Sequence, residues 1–472
     1  MKNRYLFISD LHLCDVENHA DGWKAYKRSE FLVDGELDGL VKRFMKEQPQ
    51  DIEACKGGEG KLTLVLNGDV FDFDLVDSVP EDPPWPVTQL ERSRCLNATA
   101  PKSVYKIKKI LADHPQFIKT LAAFIAGGHR VVYIMGNHDR EFHFKEVQEV
   151  FTGAVSAELA SQGKVLPGDA IRYEPWFYYV PGEIYAEHGN QYDYYSSFQY
   201  LLVPEVKVMK EKILALPMGN LTNRYLMCRM GFFNPFSTDF ILNIFSYIKH
   251  WMKYYMFSRR NLFLNWFFGS FLVMLELIKE KRRLIIKKPD EYRFKLQEAA
   301  RDSGLAMASV IKLGQLHKAP ITSRFYRIVR EFWLDRITLA LLMLGGTITL
   351  ALVSIPLWVK LMVPLSAFPL FFFIYEWLAR GDSIFTVDQK IPHDARKVAE
   401  IVGVKAVIFG HTHKPCNIPL SAGISYINTG TWAPIWEGEE QKTPLPGLRN
   451  YAIVTSFWEQ DRPIAVEFGS WC

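Results

Sequence analysis

Five short blocks in this chain carry residue types that hold divalent cations. They are Asp10-x-His12, Gly68-Asp69-x-x-Asp72, Gly136-Asn137-His138-Asp139, His188-Gly189 and Gly410-His411-x-His413. The set mixes carboxylate oxygens, imidazole nitrogens and one amide oxygen, with no thiolate. Such donors suit borderline ions, Mn²⁺ first and then Fe²⁺, Co²⁺ or Zn²⁺, rather than the all-oxygen shell of Ca²⁺. Two ions need one shared group, and a carboxylate bridges well. Paired ions about 3.5–4 Å apart generate a hydroxide and clamp a phosphoryl group during in-line displacement.

Each block follows a short apolar run. Residues 4–9 (RYLFIS), 61–66 (KLTLVL), 130–135 (RVVYIM), 184–187 (IYAE) and 406–409 (AVIF) read as strands that end where a block begins. Residues 425–428 and 451–455 add two more strands, and 117–126 and 395–402 read as helices. Strands alternating with helices predict an α/β sandwich. In open α/β sheets, sites form beyond the carboxyl ends of the strands. One His or Gly-Asp after a strand is an ordinary turn. Five such events point to one centre. His19, His114, His129, His143 and His317 fit no block and read as surface or structural residues.

Taken together and in this order, the blocks resemble the calcineurin-like metallophosphoesterase superfamily, over roughly residues 1–190 and 400–435. The resemblance implies a β-sandwich flanked by helices and a centre holding two divalent metal ions. It implies that Asp10, His12, Asp69 and His413 hold the first ion. Asp69, Asn137, His188 and His411 would hold the second, with Asp69 as the bridge. His138 is then the group that contacts a phosphate oxygen or protonates the leaving group. Asp139 would orient its imidazole. Asp72 is expected to steady a ligand or a loop, or to cap a helix. Arg140 is a candidate to pair with a substrate phosphate, or else a surface arginine. The openings FISDLHLC and GHTHKP, with a helical insertion before the last His pair, look like UDP-2,3-diacylglucosamine pyrophosphatases. That subfamily carries Arg where this chain has His138.

The 472 residues carry a net charge of +4, but unevenly. Residues 241–336 hold 19 Lys/Arg against 8 Asp/Glu, a net +11, which leaves −7 for the rest. The basic middle lies within a long segment between His188 and His411, far longer than a minimal member of the family needs. Expected divisions are a first catalytic part (1–190), a mainly helical insertion (191–400) and a last catalytic part (401–472). Residues 337–359 form an uncharged apolar run, and 361–375 add a second after Lys360. Runs of this length read as membrane segments. All five blocks must meet on one side, so the chain crosses an even number of times or not at all. The expected form is a hairpin over about 337–378, turning near Pro356–Pro364 with a short second leg, or a loop dipping into one leaflet, or else a hydrophobic core helix of a soluble cap. Arg324, Arg327, Arg330, Arg336 and Arg380 flank the hairpin and favour a cytoplasmic catalytic side. The aromatic segments 239–257 and 261–275, edged by Lys and Arg, suit contact with anionic lipid headgroups.

Six scattered cysteines form no C-x-x-C pair, which speaks against a zinc finger or a disulfide scaffold. The N-terminal apolar run is too short for a secretory signal. The metal-type blocks and the resemblance imply hydrolysis of a phosphoester or phosphoanhydride, and the insertion points to a lipid-linked substrate at a membrane. Rival readings are a nucleotide or nucleic-acid phosphodiesterase, a protein phosphatase, and a scaffold with a vestigial site. Nucleic acid is disfavoured because a polyanion channel gains nothing from runs such as FFFIY.

Overall fold

A computed structural model describes residues 3–18, 24–47, 61–208, 211–231, 234–236, 252, 262–285, 289–378, 387–421, 423–437, 443–444, 448–457 and 464–471. Its core is two stacked sheets. The first holds β1 (Arg4–Ile8), β2 (Leu62–Asn67), β3 (Arg130–Ile134) and β4 (Ile171–Glu174) in parallel. The second holds β5 (Phe177–Val180), β6 (Ile184–Glu187), β7 (Ala406–Phe409), β8 (Cys416–Ser421) and β9 (Ile424–Asn428), ordered β8-β9-β7-β6-β5. Two late strands, β10 (Asn450–Thr455) and β11 (Ala465–Ser470), return antiparallel to the free edge of β1. Both sheets thus draw strands from both ends of the chain.

Period-two alternation explains the layering. Tyr5, Phe7, Val65, Val132 and Ile134 face Ile184, Ala186, Ile408 and Ile427 between the sheets. Leu6, Ile8, Leu64, Leu66, Val131 and Tyr133 point outward. There they meet α1 (Asp34–Lys46), α2 (Ala100–Asp113), α3 (Pro115–Ala126) and α4 (Lys145–Ser161). Tyr185, Val407, Phe409 and Tyr426 point out from the second sheet. Strands apolar on both faces must be covered on both, and this places the polar blocks at the strand ends.

In the expected insertion a two-stranded ribbon at residues 205–208 and 211–214 is followed by α5 (Met218–Tyr225), α6 (Leu262–Ile285), α7 (Pro289–Ser303), α8 (Met307–Leu316) and α9 (Phe325–Glu331). Next comes α10 (Leu334–Leu352), then a continuous helical leg, α11 (Leu357–Leu378), and finally α12 (Val387–Val402), which returns to the second sheet. By length and composition, α10 and α11 are long and apolar enough to cross a membrane, and neither has a buried residue. The hairpin turns earlier than expected, at residues 353–356, so its second leg is 22 residues long rather than short. Pro364 is absorbed by a π-helical turn at Val363–Ala367, and helix continues on either side. Apart from Met252, the aromatic segment 239–257 lies outside the described residues, as does Arg380. On α6, Leu264, Phe267, Phe268 and Phe271 are exposed at helical spacing along one face.

Candidate metal centre

The five blocks converge beyond the carboxyl ends of β1, β2, β3, β6 and β7. To turn there, the backbone leaves ordinary conformations. Asp10, His12, Asp69, His411 and His413 all have positive φ, between 50° and 68°. Such residues cost about 1–3 kcal/mol each and persist only where their surroundings over-determine them. Two glycines show the crowding. A Cβ on Gly68, itself at φ +83°, would collide with the His188 ring, and one on Gly136 would collide with the Asp69 carboxylate and its backbone nitrogen.

One group gathers Asp10, His12 and His413. His12 Nδ1 faces Asp72 Oδ2 at 3.3 Å, and His413 Nδ1 donates to the Phe236 carbonyl at 2.8 Å. With both Nδ1 atoms committed, both Nε2 atoms present lone pairs to the centre. Those Nε2 atoms are 3.1 Å apart, and His413 Nε2 lies 3.2 Å from Asp10 Oδ1. Nitrogens facing each other beside a carboxylate need a proton or a cation between them, and three such donors converging on one point are the arrangement a cation site presents.

A second group gathers Asp69, His188 and His411. His188 Nδ1 donates to the Asn67 carbonyl at 3.0 Å. Its Nε2 is buried with no hydrogen-bond partner, 3.0 Å from Asp69 Oδ2. His411 is held from the other side, Nε2 to Asp193 Oδ2 at 3.1 Å, which leaves Nδ1 for the centre. The buried amide oxygen of Asn137 is also unpartnered. Its nitrogen faces Asn220 Oδ1 at 3.3 Å. Asp69 stands between the groups. Oδ1 accepts the His138 backbone N–H at 2.8 Å, while Oδ2 is 3.0 Å from His188 Nε2 and 3.9 Å from His12 Nε2. A third set, His12, Asp72 and His138, uses the committed nitrogen of His12 and is better read as support for the first group.

The surroundings of His138 differ from expectation. Its Nδ1 lies 3.4 Å from Asp72 Oδ2 and 3.3 Å from Asp74 Oδ2, so those carboxylates orient the ring. Asp139 instead ties loops together. It accepts N–H groups from Gly136 and Val70 at 2.6 and 2.9 Å and the Tyr133 hydroxyl at 2.6 Å. Asp72 holds both His12 and its own loop, since Oδ1 also accepts the N–H groups of Asp74 and Leu75, and no helix begins there for it to cap. Arg140 is not presented to the centre. It is fully buried, donates to the carbonyls of Pro175 and Leu201, and lies over the Phe198 ring. Among the block-free histidines, His114 is buried between Asp34 and the Cys14 carbonyl, and His317 is partly buried with its ring against Trp176.

Electrostatics match this layout. Burial pushes the Asp69 carboxyl up, but His188 and His138 outweigh it and hold it well below the usual carboxylate range. For Asp10, His188 and His413 likewise outweigh burial and lower its pKa. Burial disfavours a charged His188, yet Asp69 and Asp10 raise its pKa to about 9. His138 is raised well above an ordinary imidazole because Asp72 and Asp69 overcome its burial. His12, dominated by burial, is lowered. Ionised carboxylates thus face imidazoles that take up protons where a cation would otherwise neutralise them. The donor set, the unpartnered Asn137 oxygen and the facing nitrogens all fit divalent ions.

Three contributors come from the start of the insertion and had no block to mark them. Asn220 donates to Asp74 Oδ2 and to the Asn137 carbonyl at 2.5 and 2.8 Å. Phe236 packs its ring 4.6 Å from that of His12 and supplies the carbonyl that His413 uses. Asp193 fixes His411. The centre opens along His138, His411 and His413, whose side chains are 12%, 11% and 19% exposed.

Residues 4–223 match the family model of calcineurin-like phosphoesterases. The match takes in the first four blocks and Asn220, and ends before the insertion's long helices. No curated protein matches the chain. The chain therefore carries a calcineurin-like phosphoesterase domain, and its Asp/His clusters support a metal-dependent hydrolase of phosphate esters.

Proposed function

We propose that this protein is a dinuclear-metal hydrolase of a phosphoester or phosphoanhydride bond on a lipid-linked substrate at a membrane. The observation that carries the chemistry is the place of Asp69 Oδ2, within 4 Å of imidazole nitrogens from both groups. Asp10, His12, Asp69 and His413 would hold one ion; Asp69, Asn137, His188 and His411 would hold the other. Mn²⁺ suits the donors best, with Fe²⁺, Co²⁺ or Zn²⁺ as further candidates. When bound, such a pair activates water and neutralises phosphate charge. His138, whose Nδ1 faces Asp72 and Asp74, would donate to the phosphoryl oxygen or the leaving group. Asp72, Asp193 and the carbonyls of Asn67 and Phe236 keep each ligating imidazole in its working tautomer.

The lipid part rests on how the centre is joined to the hairpin. Asp193 Oδ1 accepts the Tyr195 N–H at 3.0 Å. The hydroxyls of Tyr194 and Tyr195 then donate to Glu331 at 3.2 and 3.0 Å. Glu331 ends α9, three residues before α10 begins. A short bonded path thus runs from His411 to the base of an apolar hairpin with no buried residue. The flanking arginines favour the cytoplasmic face. A lipid-linked diphosphate, the substrate type of the UDP-2,3-diacylglucosamine pyrophosphatases that the motifs resemble, suits both features. The +11 charge of residues 241–336 supports a second reading, a membrane-anchored nucleotide or nucleic-acid phosphodiesterase. A protein phosphatase has no particular feature in its favour.

The deciding experiment offers lipid diphosphates, phospholipid monophosphates and nucleotides side by side to the purified full chain with each metal. Turnover of a lipid substrate that needs both metal and mixed micelles is expected. Turnover confined to nucleotides, collapsing with added salt, would transfer the assignment to the second reading.

A further inference from the structure

We infer that α10 and α11 cross the whole bilayer as a two-pass hairpin, so that the tip at residues 353–360 emerges on the face opposite the catalytic domain. The inference rests on the membrane part of the proposed function and is independent of the chemistry. At 1.5 Å per residue, legs of 19 and 22 residues reach about 28 and 33 Å. A hydrocarbon core is about 30 Å thick, whereas a loop dipping into one leaflet needs half that length.

Polar groups sit where a full crossing requires them. At the base, Arg336 meets Glu376 through two hydrogen bonds of 2.6 and 3.1 Å. Tyr375 bonds both Asp335 and Tyr326 there. At the tip stands one charge, Lys360, whose ammonium donates to the Ala351 carbonyl at 2.8 Å. In a half-depth loop that ammonium would lie near the middle of the bilayer, where charge is strongly disfavoured. In a full crossing it reaches the far headgroups. Indole rings mark both levels. Trp333 and Trp377 at the base are 65% and 64% exposed, and Trp358 at the tip is 68% exposed. Tryptophan at both ends of an apolar span is the pattern of the two membrane–water interfaces.

Between these levels the legs satisfy themselves. The hydroxyls of Thr338, Thr347, Thr349 and Ser366 each donate to the carbonyl four residues earlier, at 2.6–2.9 Å. Lipid offers no partner for a hydroxyl, so internal pairing is what that solvent demands. Gly346 lets the legs close, since a Cβ there would approach the Phe368 ring to 3.1 Å.

The test uses the full chain in sealed membrane vesicles of both orientations and a membrane-impermeant maleimide. Ser354→Cys reports the tip. Val165→Cys, at a site 89% exposed on the catalytic domain, reports the other end, and the unsubstituted chain gives the background. Ser354→Cys is expected to label only from the face opposite that of Val165→Cys. Labelling of both from one face, or labelling of the tip only after detergent, would overturn the crossing while leaving membrane attachment intact. Release of the unsubstituted chain by alkaline carbonate would instead remove the membrane reading itself.

Discussion

The catalytic loops and the hairpin solve opposite problems. In the loops, buried polar groups crowd within hydrogen-bond distance, and five non-glycine residues take left-handed backbone. That arrangement is costly and holds because each of the four imidazoles proposed as ligands is fixed from behind: His12 by Asp72, His188 by the Asn67 carbonyl, His411 by Asp193, His413 by the Phe236 carbonyl. The hairpin is the reverse. Its backbone is helix with one π-turn, its side chains are mostly apolar and unburied, and its polar ties lie at the base and the tip. The difference teaches that precision lies where charge is concentrated. On the proposed membrane reading, the hairpin needs only length and the right solvent.

If this division is correct, substitutions should separate cleanly by region. The largest effect belongs to Asp69→Asn. Loss of the shared oxygen should abolish turnover and empty both positions, read by metal analysis beside an aryl phosphodiester assay. Retained turnover would remove the bridging role. His138→Ala should keep its metal yet lower kcat by about 10²–10⁴-fold, and loss of metal in that variant would make His138 a ligand instead. Asn220→Ala should weaken metal affinity or activity by about 10–100-fold, since Asn220 steadies Asn137 without facing the centre itself.

A smaller effect is expected from pH. A proton on His188, with its pKa near 9 in the metal-free protein, competes with a cation for Nε2. Metal affinity should therefore rise with pH from 7 towards about 9, by about tenfold per unit for each proton released. A flat titration would show that His188 is not a ligand. The smallest effect is expected from Leu344→Ser in α10, which should leave hydrolysis of a soluble aryl phosphodiester within about twofold. A large loss there would erase the contrast between the regions.

Much of this was legible in the chain itself because each block is local. An apolar strand, a glycine and a ligand within a few residues give position and chemistry together. Strands β6 and β7 fall at the residues their apolar runs predict. What escaped was set by tertiary approach. Asp193, Asn220 and Phe236 are ordinary residues until the insertion folds back over the centre. Asp139 follows His138 directly, yet the turn carries its carboxylate towards Val70 and Tyr133 instead. Arg140 looked available because nothing local reveals that Pro175 and Leu201 present carbonyls to it. The second hairpin leg looked short because proline interrupts helices, and the π-turn that accommodates Pro364 has no local signature.

The order of the ligands along the chain has a consequence for biosynthesis. Asp10, His12, Asp69, Asn137 and His188 leave the ribosome before α10 and α11, and His411 and His413 leave after them. A nascent chain therefore has only part of each cation cage until its greasy segment has already been translated. On the proposed ligand assignment, hydrolytic activity would be deferred until the hairpin has been made, and a product truncated within the hairpin would lack a ligand to each ion.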